Sequence, residues 1–165
     1  DAWGGGYRLG CNLLEVVFDL SYRRCGALLV YDPKGSVRSH LVNKGSLLDP
    51  KSADPARKCL SSSIRPIAMG AANPKERKKR LLIEVASLDG AVVFDGDAVH
   101  AFGGMIETHP DAGNHAGART TAAHSALLWG GTPVKISADG EITILFASLD
   151  KNRNRTSSSA QMQFL

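Results

Sequence analysis

The sequence predicts an α/β domain, a mixed central β-sheet flanked by helices. Segments with helical apolar spacing alternate with short apolar runs bounded by turn residues. Several of those runs pair as hairpins, so antiparallel neighbours are mixed with crossover connections. A chain of 165 residues, 43% hydrophobic and 22% charged, suits one domain with a real core. That domain is expected over residues 10–149, after an irregular segment 1–9 and before a polar, Ser-rich, flexible tail 150–165.

The first helix is predicted from Asn12, a capping residue with Glu15 three positions on, and Leu13, Leu14, Val17, Phe18 and Leu20 form its apolar face. Arg23 and Arg24 suit its C-terminal end. Gly26 to Tyr31 reads as a buried strand, Asp32-Pro33-Lys34-Gly35 as a turn, and Val37 to Val42 as the returning strand of a hairpin. Asp54-Pro55 opens a helix that runs to about Ile64 and stops before Pro66. Asn73-Pro74-x-Glu76 opens another, with Leu81, Leu82 and Val85 towards the core and Lys75, Arg77, Lys78, Lys79 and Arg80 on its other face.

Ala91 to Phe94 is a short buried strand, Asp95-Gly96 a hairpin turn, and Ala98 to Phe102 the returning strand. Residues 103–118, rich in Gly, His and Asp, read as a loop. Thr120 to Trp129 reads as a helix closed by Gly130-Gly131. Val134 to Ser137, a turn at Asp139-Gly140 and Ile142 to Phe146 make the last hairpin.

A net charge of +4 suits an anionic ligand without demanding nucleic acid. No apolar run approaches the ~20 residues that span a bilayer, so no membrane partner is expected. The opening Asp1-Ala2-Trp3-Gly4-Gly5-Gly6 does not read as a signal peptide, and the expected location is cytoplasmic. A start without Met reads as a domain cut from a longer protein whose other domains are its partners. Cys11, Cys25 and Cys59 include no Cys-x-x-Cys pair and read as buried free thiols. No nucleophile elbow or Walker-type loop occurs, and Gly103-Gly104 is too short for a dinucleotide fingerprint.

Two segments carry candidate chemistry. Gly117-Ala118-Arg119-Thr120-Thr121 leads a glycine into a helix start that bears a forked cation and two hydroxyls, which suits phosphate. Its plainer reading is that Thr120 caps the helix and Arg119 is solvated. Asp89-Gly90-Ala91 sets a carboxylate at a strand mouth, where it can hold a divalent metal beside phosphates, with little side chain to obstruct a ligand. Its plainer reading is a simple αβ turn.

The two segments occur in company. Gly26-Ala27-Leu28-Leu29-Val30, Gly45-x-x-Leu48-Asp49, Asp89-Gly90-Ala91-Val92-Val93 and Gly117-x-Arg119-x-x-Ala122-Ala123 follow one another, and Val134-x-Ile136-Ser137 and Ile142-Thr143-Ile144-Leu145-Phe146 close the series. This order resembles the diadenylate cyclase domain of the DisA N-terminal type over about residues 10–147. The resemblance implies that family's mixed sheet wrapped by helices. It also implies a face-to-face homodimer that joins two ATP molecules into cyclic di-AMP with Mg²⁺ or Mn²⁺. Asp89, Gly90 and Ala91 would then lie at the metal and the ribose, Asp89 being the metal ligand and the catalytic carboxylate of an active enzyme. Gly117, Ala118, Arg119, Thr120 and Thr121 would grip phosphate, and Phe102, Gly103, Gly104, Met105 and Ile106 would line the adenine pocket.

The chain departs from the family where charge matters. The family's Gly-Thr-Arg-His-Arg motif reads Gly117-Ala118-Arg119-Thr120-Thr121, and a Ser-Glu pair further along is replaced by Leu127-Leu128. Losing one such stabilising contact can cost ~10²–10³ in rate. The pattern is therefore similar to the non-catalytic relatives of the domain, and the expected function is a sensor of a purine nucleotide or cyclic dinucleotide with little or no catalysis. An active diadenylate cyclase and a structural domain with an empty pocket are the alternatives.

Among other features, His109, Asp111 and His115 share a loop but match no zinc spacing. His100 also invites a metal reading, and His124 reads as packed or surface-exposed. The run Lys75 to Arg80 reads as a solvated face, since Glu76 interrupts it and few aromatics accompany it, so nucleic acid is not the expected partner. Trp129 and Phe102 read as core.

Overall fold

The computed structural model describes residues 7–71, 73, 78–149 and 155–162. Helices α1 (Tyr7–Tyr22), α2 (Ser36–Ser39), α3 (Pro55–Ile64), α4 (Lys79–Ala86) and α5 (Ala118–Leu128) accompany strands β1 (Ala27–Tyr31), β2 (Ala91–Phe94), β3 (Val99–Gly104), β4 (Thr132–Ile136), β5 (Ile142–Leu149) and β6 (Arg155–Met162). The strands form one sheet in the order β3-β2-β1-β4-β5-β6. β1 and β2 are parallel, and every other neighbouring pair is antiparallel. The α/β mixed-sheet expectation therefore holds.

Strand alternation divides the core between the two faces. Ala27, Leu29 and Tyr31 of β1, with Val92 and Phe94 of β2, join the cluster built on α1 and α4, where Leu13, Val16, Leu20, Leu82 and Ile83 are buried. Leu28 and Val30, with Ala91 and Val93, face the other way towards Ala123, Ala126 and Leu127 of α5. Two helix layers thus sandwich the sheet. Small residues line the contact between α5 and the sheet, Ala123 and Ala126 on the helix and Ala91 and Ala101 on the strands. Among the described residues, no helix is long and apolar enough to cross a membrane.

Several boundaries differ from the sequence expectation. α1 starts at Tyr7, within the segment expected to be irregular, and Asn12 lies inside it rather than capping it. Asn12 is buried, and its Nδ2 donates to the Met69 carbonyl at 2.7 Å, tying α1 to the chain that leads towards α4. Val37 to Val42 is not a hairpin strand. Gly35 turns left-handed (φ 74°) and starts the short α2, while both sides of β1 are taken by β2 and β4. Only Leu41 keeps a bridge, to Ile106.

The expected tail supplies β6, paired along its length with β5 from Ile142↔Met162 to Leu149↔Arg155. Its polar residues suit an edge strand, where the backbone ladder makes the attachment. The expected helix start at Asn73-Pro74-x-Glu76 falls largely outside the described residues, and the observed α4 opens after Lys78, itself left-handed (φ 40°). The basic face is partly engaged, because Lys79 Nζ reaches Asp19 at 3.1 Å and Glu15 at 3.6 Å on α1. The cysteines are free, but Cys59 is exposed and Cys11 and Cys25 are half-buried, so the expectation of buried thiols is corrected.

Candidate functional site

α5 begins at Gly117, whose φ of 102° excludes most side chains at ease and turns the incoming loop sharply into the helix. No side chain caps this end, so Thr120 is not the cap. The N–H groups of Thr120 and Thr121 both donate to the Gly117 carbonyl, at 3.1 and 3.2 Å. Those of Ala118 and Arg119 lie ahead of the first intrahelical bond and point outward with the positive end of the helix dipole.

β2 opens at Asp89-Gly90 beside this helix end. Gly90 is left-handed (φ 95°), and a Cβ there would stand 2.5 Å from the Gly103 carbonyl carbon. Two backbones therefore cross in near contact at the start of β2 and the end of β3, an approach that only glycine permits. Asp89 turns its carboxylate out of the sheet, where Oδ1 accepts from the Gly90 N–H at 3.0 Å and lies 3.9 Å from Arg119 Nη2.

Between these parts lies a cleft of about 720 Å³ lined by Leu28, Asn43, Asp89, Gly90, Ala91, Gly103, Gly104, Met105, Ile106, Thr108, Gly117, Ala118, Arg119, Thr121 and Ala122. That volume falls within the range of about 300–1,000 Å³ usual for small-molecule sites. The floor is apolar and low, from Leu28, Ala91 and Ala122, while charge is confined to Asp89 and Arg119 at the mouth. Met105 stands exposed on the rim.

Of the residues singled out from sequence, the cleft gathers Asp89, Gly90, Ala91, Gly103, Gly104, Met105, Ile106, Gly117, Ala118, Arg119 and Thr121. It does not gather Phe102 or Thr120. Phe102 lies on the opposite sheet face and packs against the α1 core, because strand alternation turns it away from Ala101. Thr120 takes a hydrogen bond from Lys135 Nζ at 3.5 Å, on the β4 side of the helix.

Four lining residues were missed by sequence reasoning: Leu28, Asn43, Thr108 and Ala122. Leu28 and Ala122 belong to the segments that carry the resemblance, but nothing local marks them as ligand-facing. Asn43 has a definite structural task. Its Nδ2 donates to the Gly103 carbonyl at 2.8 Å and its Oδ1 accepts from the Met105 N–H at 2.7 Å, so one amide clamps the end of β3 that forms the cleft wall. Only the fold brings residue 43 there, and no local pattern marks it.

The histidines serve the loop that backs the cleft. His109 Nδ1 accepts from the Asp111 N–H, and its own N–H donates to Ser125 Oγ. His115 stacks on His124 at 3.9 Å between ring centroids. Burial first, then the neighbouring His115 and Lys135, hold His124 below the ordinary imidazole value. Trp129 is half-buried, stacked on His40 at 3.5 Å, with its Nε1 donating to the Glu107 carbonyl. Among the described residues, no group of three or more His, Cys, Asp or Glu side chains gathers for a metal. A metal at Asp89 would need most of its oxygen ligands from the phosphates of a nucleotide.

Comparison with known proteins places the fold. No family model matches the chain, and no curated protein matches it. Among solved structures, DacA from Staphylococcus aureus, studied as an N166C/T172C double mutant, superposes with a TM-score of 0.54 at 19% identity, over 90% of this chain and 85% of that one. A hypothetical membrane spanning protein from Bacillus cereus superposes with a TM-score of 0.51 at 18% identity, over 90% of this chain and 62% of that one. This chain thus spans less than two thirds of the second neighbour. The mixed sheet flanked by helices is the fold of DacA, in agreement with the diadenylate cyclase fold expected from the sequence.

Proposed function

We propose that this domain is a nucleotide-binding, sensor-type member of the diadenylate cyclase superfamily, which holds a purine nucleotide or cyclic dinucleotide and performs little or no chemistry. One observation carries the reading. Two segments separated in the chain, Asp89 to Ala91 and Gly117 to Thr121, each with a plainer explanation alone, converge on one open cleft with Asp89 and Arg119 facing each other at 3.9 Å. The low floor at Leu28, Ala91 and Ala122 accepts a flat base. Asp89 stands where it can accept from ribose hydroxyls. Arg119 offers a fork to phosphate, with Thr121 and the outward N–H groups of the α5 start beside it.

The active cyclase is the second reading, favoured by the likeness of fold to DacA. In it, Asp89 would share Mg²⁺ or Mn²⁺ with the phosphates of ATP, and two copies would face each other across the cleft. The cation lost from the motif at Thr121 weighs against it, because phosphoryl transfer depends on charge stabilisation around the phosphates. The third reading, a structural domain whose ancestral pocket is empty, would be favoured by bulky side chains filling that pocket, and the cleft of about 720 Å³ is not filled in this way.

Titration calorimetry with ATP and cyclic di-AMP tests the proposal. The wild type is expected to bind at least one of them, and Arg119→Ala to weaken binding about tenfold, the loss of one charge-assisted fork. Binding that is indifferent to Arg119→Ala would sink it. Incubation with ATP and Mg²⁺ or Mn²⁺, followed by chromatography, decides between the readings: accumulating cyclic di-AMP establishes the cyclase.

A further inference from the structure

The geometry points to a ligand that presents a single phosphate to this cleft, a purine nucleoside monophosphate or the phosphodiester of a dinucleotide, and not a nucleoside triphosphate. This inference rests on the nucleotide-binding reading above and narrows it.

Charge sets the limit. Among the described residues that line the cleft, Arg119 is the one cation and Asp89 the one carboxylate, and they already face each other at 3.9 Å. Lys135, outside the lining, sits on β4 with Nζ donating to Thr120 Oγ1 at 3.5 Å, and Thr120 is not part of the lining either. A guanidinium fork matches one phosphate group. A second and third phosphate would extend along a wall of uncharged residues, or towards the Asp89 carboxylate, without a second cation to offset their charge.

The cation also has a seat. Arg119 packs against Gly26, the residue that leads into β1. A Cβ at Gly26 would stand 2.5 Å from Arg119 Nη1, 3.2 Å from Cζ and 3.5 Å from Nη2. The missing side chain at Gly26 is the seat of the guanidinium, and the Asp89 carboxylate lies 3.9 Å from its Nη2. Gly26 is therefore a positioning residue. It fixes where along the cleft the single phosphate is received, and so how far the base reaches over Leu28 and Ala91.

The test is a calorimetric series on the wild type with adenosine, AMP, ADP, ATP and cyclic di-AMP, with the guanine nucleotides in parallel, in buffer with and without Mg²⁺. AMP or cyclic di-AMP is expected to bind about tenfold more tightly than ATP, and which of the two binds better identifies the source of the phosphate. Affinity that rises from AMP through ADP to ATP overturns the inference while leaving the nucleotide reading intact. If that rise vanishes in Lys135→Ala, the phosphate chain runs past Thr120 to Lys135. No binding by any of the series overturns both.

Gly26→Ala supplies a second arm, because the atoms it displaces belong to the far end of a flexible side chain and the fold is expected to survive. Its melting temperature should stay close to that of the wild type and its affinity for adenosine should not change, while its affinity for the monophosphate falls about tenfold. A Gly26→Ala variant that binds the monophosphate as the wild type does would refute the seat.

Discussion

Replacing Gly90 by alanine attacks the cleft at its tightest point. The residue sits at φ 95°, and the added Cβ would lie 2.5, 2.7 and 2.8 Å from the carbonyl carbon, Cα and oxygen of Gly103. All three are backbone atoms of β3, so no rotamer change relieves the contact. Forcing an L-residue into left-handed backbone costs about 1–2 kcal/mol, and overpacking a closed site adds about 1–3 kcal/mol, together about 2–5 kcal/mol. For a domain of this size about 1 kcal/mol moves the melting temperature by about 2–4 °C, so Gly90→Ala should melt about 4–20 °C lower. Gly45→Ala is the control, since a Cβ there meets nothing within 4 Å. Thermal unfolding followed by circular dichroism reads both. A Gly90→Ala variant that melts with the wild type would refute the close crossing of β2 and β3 on which the cleft geometry depends.

Asn43→Ala removes both hydrogen bonds of the clamp on Gly103 and Met105, worth about 1–3 kcal/mol together, and urea unfolding should show a loss in that range alongside weaker nucleotide binding. Asp54→Ala deletes the cap whose Oδ1 accepts from the Ala56 N–H at 2.9 Å, and a loss of about 1 kcal/mol should appear as a melting temperature lower by about 2–4 °C. His100 is buried at the β2–β3 hairpin with Nε2 2.5 Å from Asp95 Oδ2. Burial first, then Arg38 and Arg65, push its pKa down against the upward pull of Asp95, so the folded state prefers the neutral ring. A depressed folded pKa leaves that contribution whole above the unfolded value of about 6.5 and erodes it as pH falls below. The melting temperature should therefore drop from pH 7 to pH 5, and drop less in His100→Asn.

Much of the architecture was written in local patterns. The Asp54-Pro55 cap, the Asp95-Gly96 turn and the Gly130-Gly131 stop each act through neighbouring residues, so they were readable from the chain alone. The failures were tertiary. Val37 to Val42 has the composition of a strand, but β1 already has partners on both sides in β2 and β4, and the segment forms the short α2 and a bridge at Leu41 instead. The polar stretch after Lys151 lacks a hydrophobic pattern, and β6 forms on the ladder that β5 offers. Asn12 shows capping chemistry, yet its amide serves the Met69 carbonyl from within a helix.

The candidate site divides in the same way. Gly90, Gly117 and Arg119 announce themselves by residue type at an element boundary. Asn43 and Gly26 matter through what the fold sets against them, Gly103 and Met105 for the first and the Arg119 guanidinium for the second. Phe102 was placed in the pocket by segment, but its side chain packs with the α1 core, on the opposite face from its neighbour Ala101.

The central claim, that the Asp89–Arg119 cleft is a nucleotide site, is tested most directly by an amide NMR titration of the labelled domain with AMP and with cyclic di-AMP. Saturable shifts concentrated at Gly90, Gly103 to Ile106 and Gly117 to Ala122, and lost in Arg119→Ala, are the predicted result. Shifts that map elsewhere on the sheet, or none at millimolar ligand, would contradict it.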